Sequence, residues 1–239
     1  MSRLFLIRHG QASFLEENYD KLSVLGERQA RLLGEYWAQQ RVAVDHVYSG
    51  PRTRQMETAA IVAGICRKAG LPWPEVQVME EFDEYDGEWV MESSLEGLAE
   101  KNPEIRKMQQ VFLSAASVAE KHKSFQRLFE VVIGKWVAGE VQVKDVESWP
   151  EFTARVQRGL SLIANGSGGG RNVAVFSSGG PIGVTMQRAL GLSPEHTLKV
   201  AWMARNCSYS EFLFSGDRFT LSSFNALPHL SDSSLLTYR

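Results

Sequence analysis

The chain has 239 residues and a formal net charge of -2, from 26 Lys and Arg against 28 Asp and Glu. That length suits one domain, or one domain carrying an inserted cap, and is ample for a large core. The near balance of charge leaves no electrostatic footprint for nucleic acid or an anionic membrane, so neither is expected as a partner.

Met1-Ser2-Arg3 leads into only the four apolar residues Leu4-Phe5-Leu6-Ile7, too few for the apolar stretch of a signal peptide. No run approaches the length of a membrane span. Cys66 and Cys207 lie far apart and form no C-x-x-C motif, so two free thiols in a reducing cytoplasm are expected. The five histidines have no paired spacing and imply no metal site.

In chain order, Arg3 to Ile7 reads as a buried strand. It delivers Arg8-His9-Gly10 at its C-terminal end, where α/β sheets bind ligands. Gly10 permits a sharp turn and a close backbone approach. Ser23 to Gln40 reads as a helix with Ser23 as N-cap, and with Leu25, Leu32, Leu33, Tyr36 and Trp37 near one face. Asp45 to Ser49 is a second strand. Pro51 suits the first position of the next helix, which carries Met56, Ala59, Ala60 and Ala63 inward and ends near Gly70. Arg54 falls near the start of that helix, a position favourable to anions, and Arg52 is expected at the rim. Val76 to Met79 is a third, short strand.

The segment Glu80-Glu81-Phe82-Asp83-Glu84-Tyr85-Asp86-Gly87 follows, with five acids. Acids crowded beside an anion site raise one another's pKa by mutual repulsion, which suits a proton donor. From Glu92 to Gly139 the pattern is helical and rich in charge. Its apolar residues, among them Phe112, Phe125, Phe129 and Trp136, are expected to pack a cap of two or more helices, spanning residues 91–145. Pro150 opens a further helix that ends at Asn165-Gly166. Gly166 to Gly170 lacks the Gly-Lys-Ser/Thr ending of a phosphate loop and reads as a linker. Asn172 to Ser177 is a buried strand, followed by Ser178-Gly179-Gly180 and a helix from Pro181 to Leu190. Ser210 to Phe214 and Phe219 to Phe224 flank a hairpin turn at Ser215-Gly216-Asp217. Strands alternating with helices predict a mostly parallel sheet covered on both faces.

Three blocks, Leu6 to Gln11, Leu22 to Ala30 and Ser49 to Ala59, together resemble the histidine phosphatase superfamily, also called phosphoglycerate-mutase-like. The resemblance continues at Glu147-Ser148 with Arg155, at Val173 to Gly180 and at Asn225 to Leu230. It is faint between about Met91 and Lys144. It implies a three-layer α/β sandwich over residues 1–239, with the helical cap inserted. It also implies phosphomonoester hydrolysis through a phosphohistidine on His9. Arg8 and Arg54 would clamp the phosphate with planar guanidinium forks, and Gln11, Ser178 and Gly179 would complete the phosphate site. No cofactor is implied, and the substrate would be a small phosphorylated molecule or a phosphopeptide. The family takes its general acid just after the third strand, commonly as Leu-x-Glu. That register selects Glu81, whereas counting back from Gly87 selects Asp83 or Glu84.

The departure is Ser178, where the family usually has a second phosphate-binding His. A cation about 4 Å from the phosphoryl group is worth roughly 4 kcal/mol at an effective dielectric near 20. A neutral hydrogen bond returns about 1 kcal/mol. The difference corresponds to about a hundredfold in rate. His229 and Arg205 are candidates to fill the gap, with His229 more simply a structural residue. Two alternatives therefore stand beside the phosphatase: a weakly active or inactive binder of phosphorylated ligands, and a phosphoglycerate mutase.

Overall fold

Apolar residues run unbroken from Leu4 to Ile7 along β1 (Ser2–Arg8), so both faces of the strand are buried, and Leu4, Leu6 and Ile7 are wholly inaccessible. This is the pattern of a central strand, and β1 lies inside a six-stranded sheet. The computed structural model describes residues 1–13, 20–166, 169–216 and 218–238. The sheet order is β3-β2-β4-β1-β5-β6, with β2 at His46–Ser49, β3 at Val76–Val78, β4 at Asn172–Ser177, β5 at Tyr209–Ser215 and β6 at Arg218–Ala226. The pairs β3-β2, β2-β4 and β4-β1 are parallel, while β1-β5 and β5-β6 are antiparallel. The sheet is thus mixed and flanked by helices on both faces.

The chain leaves β1 toward β2 on one side and leaves β4 toward β5 on the other, so the connections diverge between two neighbouring parallel strands. Such a switch point leaves a crevice at the strands' carboxyl ends. Register sets Arg8 opposite Ser177, which brings His9 and Ser178 level at that crevice.

Helices α1 (Val24–Gln39) and α2 (Thr53–Lys68) pack on one face. There Leu33, Trp37, Ala59, Val62 and Cys66 meet Phe5, Ile7, Val47, Ala174 and Phe176. Ser23 caps α1 as expected, accepting from the Gly26 amide at 3.0 Å. Helix α2 begins at Thr53 rather than Pro51, and Met56 and Ala60 face outward. The inward face instead carries Arg54, Gln55 and Thr58, polar residues that belong to the crevice.

A second compact unit comprises Tyr85–Phe152 and the first comprises Met1–Glu84 with Thr153–Arg239. The second holds α3 (Gly87–Lys101), α4 (Pro103–Leu113) and α5 (Val118–Val137). Asn102 ends α3 and caps α4, with Pro103 at the first position of the new helix. Tyr85, Trp136, Trp149 and Phe152 form an aromatic cluster with centroid spacings of 5.2 to 5.7 Å, and Phe112, Phe125 and Phe129 pack in a row with tilted rings. Helix α6 (Trp149–Gly166) returns the chain to the first unit, where α7 (Gly179–Leu190) contacts β1 and β6. A further helix, α8 (Pro194–Met203), which the sequence reading missed, carries the ordinary signature of an N-cap Ser193 followed by Pro194. Ser167, Gly168 and Asp217, which fall in the linker and hairpin turn read from sequence, lie outside the described residues. Among the described residues no helix is long and apolar enough to cross a membrane.

Candidate active site

The crevice is built from four chain segments. The first is the end of β1. The His9 amide donates to Ser177 O at 2.9 Å, tying the loop to β4. Gly10 passes so close to α1 that a Cβ there would lie 2.5 Å from Gly26 O, and a Cβ on Gly26 would lie 2.1 Å from Gln11 O. Two glycines are needed for that crossing. The Gly10 amide donates to Thr58 Oγ1 at 3.0 Å, and Thr58 Oγ1 donates to Arg54 O at 2.7 Å. The spacing of Arg54 and Thr58 is therefore one helical turn of α2 holding the loop that carries the imidazole.

That imidazole is 5% exposed, and its tautomer follows from its neighbours. Nδ1 lies 2.6 Å from Gly10 O, a group that only accepts, so Nδ1 bears the proton. Nε2 then holds its lone pair and accepts from Arg54 Nε at 3.1 Å. Burial, and then the charges of Arg54 and Arg8, hold His9 well below the ordinary histidine pKa, partly opposed by the bond to Gly10. The ring is neutral with its free nitrogen facing cations.

Arg54 is itself buried and makes an ion pair from Nη1 to Asp20 Oδ1 at 2.6 Å. The other Asp20 oxygen accepts from the Thr53 amide at 2.9 Å, so one carboxylate orients the arginine and caps α2. The sequence offered no signal for Asp20 beyond its charge. Arg8 reaches the Ala204 carbonyl from Nη1. Gln11 is tied to the start of α1, its side-chain oxygen accepting from Ser23 Oγ at 3.0 Å. Beneath the loop, Asn206 donates to His9 O at 3.2 Å, and Gln29 bridges the Gln11 amide to Leu235 O and Thr237. Neither Asn206 nor Gln29 is conspicuous in the sequence.

The third segment is the acidic turn after β3. A single 3-10 turn at Glu80–Phe82 sends consecutive acids in different directions. Glu81 packs against α6: a Cβ on Gly159 would lie 2.6 Å from its Cβ, and its carboxylate is 3.8 Å from Arg158. Asp83 pairs with Arg52 at 2.7 Å, which makes Arg52 a fastener of this turn. Glu84 turns to the crevice. Its two oxygens lie 3.1 and 3.0 Å from the Gly180 amide. Burial raises its pKa above the ordinary carboxylate value, against the pull of Gly180, Arg54, Arg52 and Arg8. Of the three acids the sequence left open, Glu84 is the one that lies against the β4-α7 junction and feels the charges of Arg54 and Arg8, while Asp83 pairs with Arg52 and Glu81 lies beside Arg158.

The fourth segment is the β4-α7 junction. Helix α7 starts at Gly179, two residues before the expected Pro181, with Ser178 as N-cap residue. Gly179 occupies the first helical position, where an amide has no intrahelical partner. The Gly180 amide donates to the Glu84 carboxylate. Ser178 Oγ accepts from Gln55 Nε2 at 2.7 Å. Neither candidate for the missing cation reaches Ser178: Arg205 donates to Tyr238 at 3.1 Å and stacks on its ring, and His229 packs beside Tyr36. Among the described residues no cluster of His, Cys, Asp or Glu is arranged to hold a metal.

The fold is shared with solved phosphate-handling proteins. A phosphoserine phosphatase from Entamoeba histolytica, crystallised with 3-phosphoglyceric acid, superposes with a TM-score of 0.62 at 21% identity, covering 96% of this chain and 100% of that one. A mycobacterial glucosyl-3-phosphoglycerate phosphatase with inorganic phosphate gives 0.62 at 19% identity, covering 96% and 99%. A phosphoglycerate mutase from Bacillus anthracis gives 0.61 at 16% identity, covering 96% and 95%. At these identities the likeness is one of fold. Comparison with curated proteins gives no match. Residues 4–227 match the histidine phosphatase superfamily (branch 1), and the chain belongs to that superfamily.

Proposed function

We propose that this protein is a phosphomonoesterase that forms a phosphohistidine on Nε2 of His9, with Arg8 and Arg54 holding the phosphoryl oxygens and Glu84 as general acid. The observation that carries the reading is the buried neutral imidazole, its Nδ1 proton committed to Gly10 O and its Nε2 lone pair set against Arg54. A nucleophile kept neutral by its surroundings spends no energy losing a proton before it attacks.

In the first half-reaction Nε2 attacks phosphorus and the P–O ester bond breaks. The Glu84 carboxyl proton passes to the departing alkoxide, which leaves as the alcohol. In the second half-reaction the Glu84 carboxylate takes a proton from water as that water attacks phosphorus. The P–N bond breaks, releasing inorganic phosphate and restoring neutral His9 and protonated Glu84. Guanidinium forks neutralise the equatorial oxygens in both halves. Ser178 adds a hydroxyl and no charge. A small phosphorylated molecule is the substrate class, and a reducing compartment suits the two buried free thiols.

A rapid acid-free quench with a 32P-labelled aryl phosphate tests the mechanism. Label should appear on the wild-type protein as an acid-labile, base-stable adduct. It should be absent from His9→Ala, whose turnover falls by roughly a thousandfold or more. Turnover without an adduct, or a His9→Ala variant that retains most of its rate, contradicts the phosphohistidine. Phosphate binding without turnover would make the protein a ligand binder, the reading that Ser178 favours.

A further inference from the structure

Gln55 is a polar side chain with no accessible surface, buried between the phosphate-clamping arginine and the residue that replaces the second histidine. Its carboxamide can be oriented without ambiguity. One end lies 3.1 Å from the Arg52 amide, a group that only donates, so that end is Oε1. The NH2 end therefore faces Ser178 Oγ at 2.7 Å, with Phe82 O at 3.5 Å as a weaker second acceptor. Phe82 O is already served by Ser177 Oγ at 2.7 Å, which fixes the floor on which the amide rests.

The consequence falls on the Ser178 hydroxyl. A hydroxyl rotates freely unless a neighbour settles which lone pair and which proton face where. Here Oγ accepts from Gln55. Its own proton is given to no acceptor among the described residues, although Ser178 is 1% exposed and its side chain does not cap α7. A buried donor left unmade is costly. The β1-β4 register places this hydroxyl level with His9, at the mouth where the anion is to be held.

We infer that Gln55 is a positioning residue, whose carboxamide fixes the polarity of Ser178 so that the hydroxyl donates to the phosphoryl group on His9. The pair does with an oriented neutral donor what a second histidine would do with a charge. The inference rests on the phosphomonoesterase reading for its substrate, but not for its geometry. Among the described residues the Gln55 carboxamide packs on Gly50 and hydrogen-bonds to the Arg52 amide, Phe82 O and Ser178 Oγ, so its one link to the phosphate site runs through Ser178.

A double-mutant cycle tests this with kcat/KM on an aryl phosphate. Ser178→Ala and Gln55→Leu are each expected to lower it about fivefold to tenfold, the worth of one net hydrogen bond. The double variant is expected to be no slower than the worse single one. Losses that multiply, or a Gln55→Leu variant with unchanged kcat/KM, overturn the inference. If Gln55→Leu fails to fold, Gln55→Glu retains the acceptor for the Arg52 amide and removes the donor to Ser178. It should cost several-fold more in the presence of Ser178 than in the Ser178→Ala background, and an equal cost in both overturns the inference. Should the wild type show no turnover, the phosphomonoesterase reading falls on its own. The same cycle is then read in the dissociation constant for inorganic phosphate. Binding that is indifferent to Ser178→Ala removes the positioning role.

Discussion

A carboxyl group that gives a proton to a leaving oxygen must hold that proton at rest, and burial is what keeps it there. Burial raises the Glu84 pKa above the ordinary carboxyl value, the direction a proton donor needs, whereas Glu81 lies beside Arg158, which is largely exposed. Glu84→Gln should therefore slow alkyl phosphates by roughly a hundredfold or more, and activated aryl phosphates far less, because only the poor leaving group needs the proton. Glu81→Gln should leave that selectivity untouched. The pH profile carries a second signature. The ascending limb of kcat/KM, corrected for substrate ionisation, belongs to loss of the His9 proton and should lie below 6.5, the ordinary histidine value. The descending limb belongs to loss of the Glu84 proton, should lie above 4.5, the ordinary carboxyl value, and should vanish in Glu84→Gln. An ascending limb at or above 6.5 contradicts the buried neutral imidazole. At this scale the sequence was legible wherever residue spacing equals geometry. Arg54 and Thr58 are one helical turn apart, and Arg8-His9-Gly10 ends a strand. It was not legible in the acidic turn, where one 3-10 turn decides which of five neighbouring carboxylates faces inward.

Elements were legible from their apolar patterns except where the site intrudes on them. On α2 the inward face is Arg54, Gln55, Thr58, Ala59 and Val62, so a search for apolar residues lands on Met56 and Ala60, which are exposed. At the start of α7 two glycines hide the helix. Pro181 looks like its first residue, yet sits third, where a missing amide proton still costs no hydrogen bond. The acidic turn depends on a different element altogether. Arg155, on α6, donates from Nη1 to three carbonyls of that turn, Glu80 at 2.9 Å, Glu81 at 3.2 Å and Asp83 at 3.1 Å. One guanidinium thus fixes the backbone that aims Glu84. Arg155→Met is expected to reproduce the leaving-group dependence of Glu84→Gln at smaller amplitude, about tenfold on alkyl phosphates, with little change in Tm. Equal losses on alkyl and aryl phosphates would show that the turn does not depend on Arg155 for its aim.

The candidate site lies at the divergence of β1 and β4, and residues beyond β6 are tied beneath it, Leu235 O and Thr237 accepting from Gln29. His229, three residues beyond the end of β6, packs beside Tyr36 with neither ring nitrogen in a well-formed hydrogen bond among the described residues. Burial lowers its pKa from 6.5 to about 4, only partly offset by the nearby Cys207 backbone. Folding and protonation then compete. Above pH 6.5 neither the folded nor the unfolded chain protonates this ring, and the histidine adds no pH dependence. As pH falls toward 4 the unfolded chain takes up the proton and the folded chain does not, so stability is lost with falling pH. By pH 4 the loss from this residue reaches about 3 kcal/mol. Below that value the folded state is protonated too and the loss levels off. His9 is depressed in the same direction and adds to the slope. Urea unfolding at pH 7 and pH 4 should show His229→Phe losing about 3 kcal/mol less than wild type over that interval, with the remaining slope shared by His9 and the carboxylates. Equal losses in the two proteins would mean that His229 is solvated or protonated in the folded state, and that the C-terminal segment does not bury it.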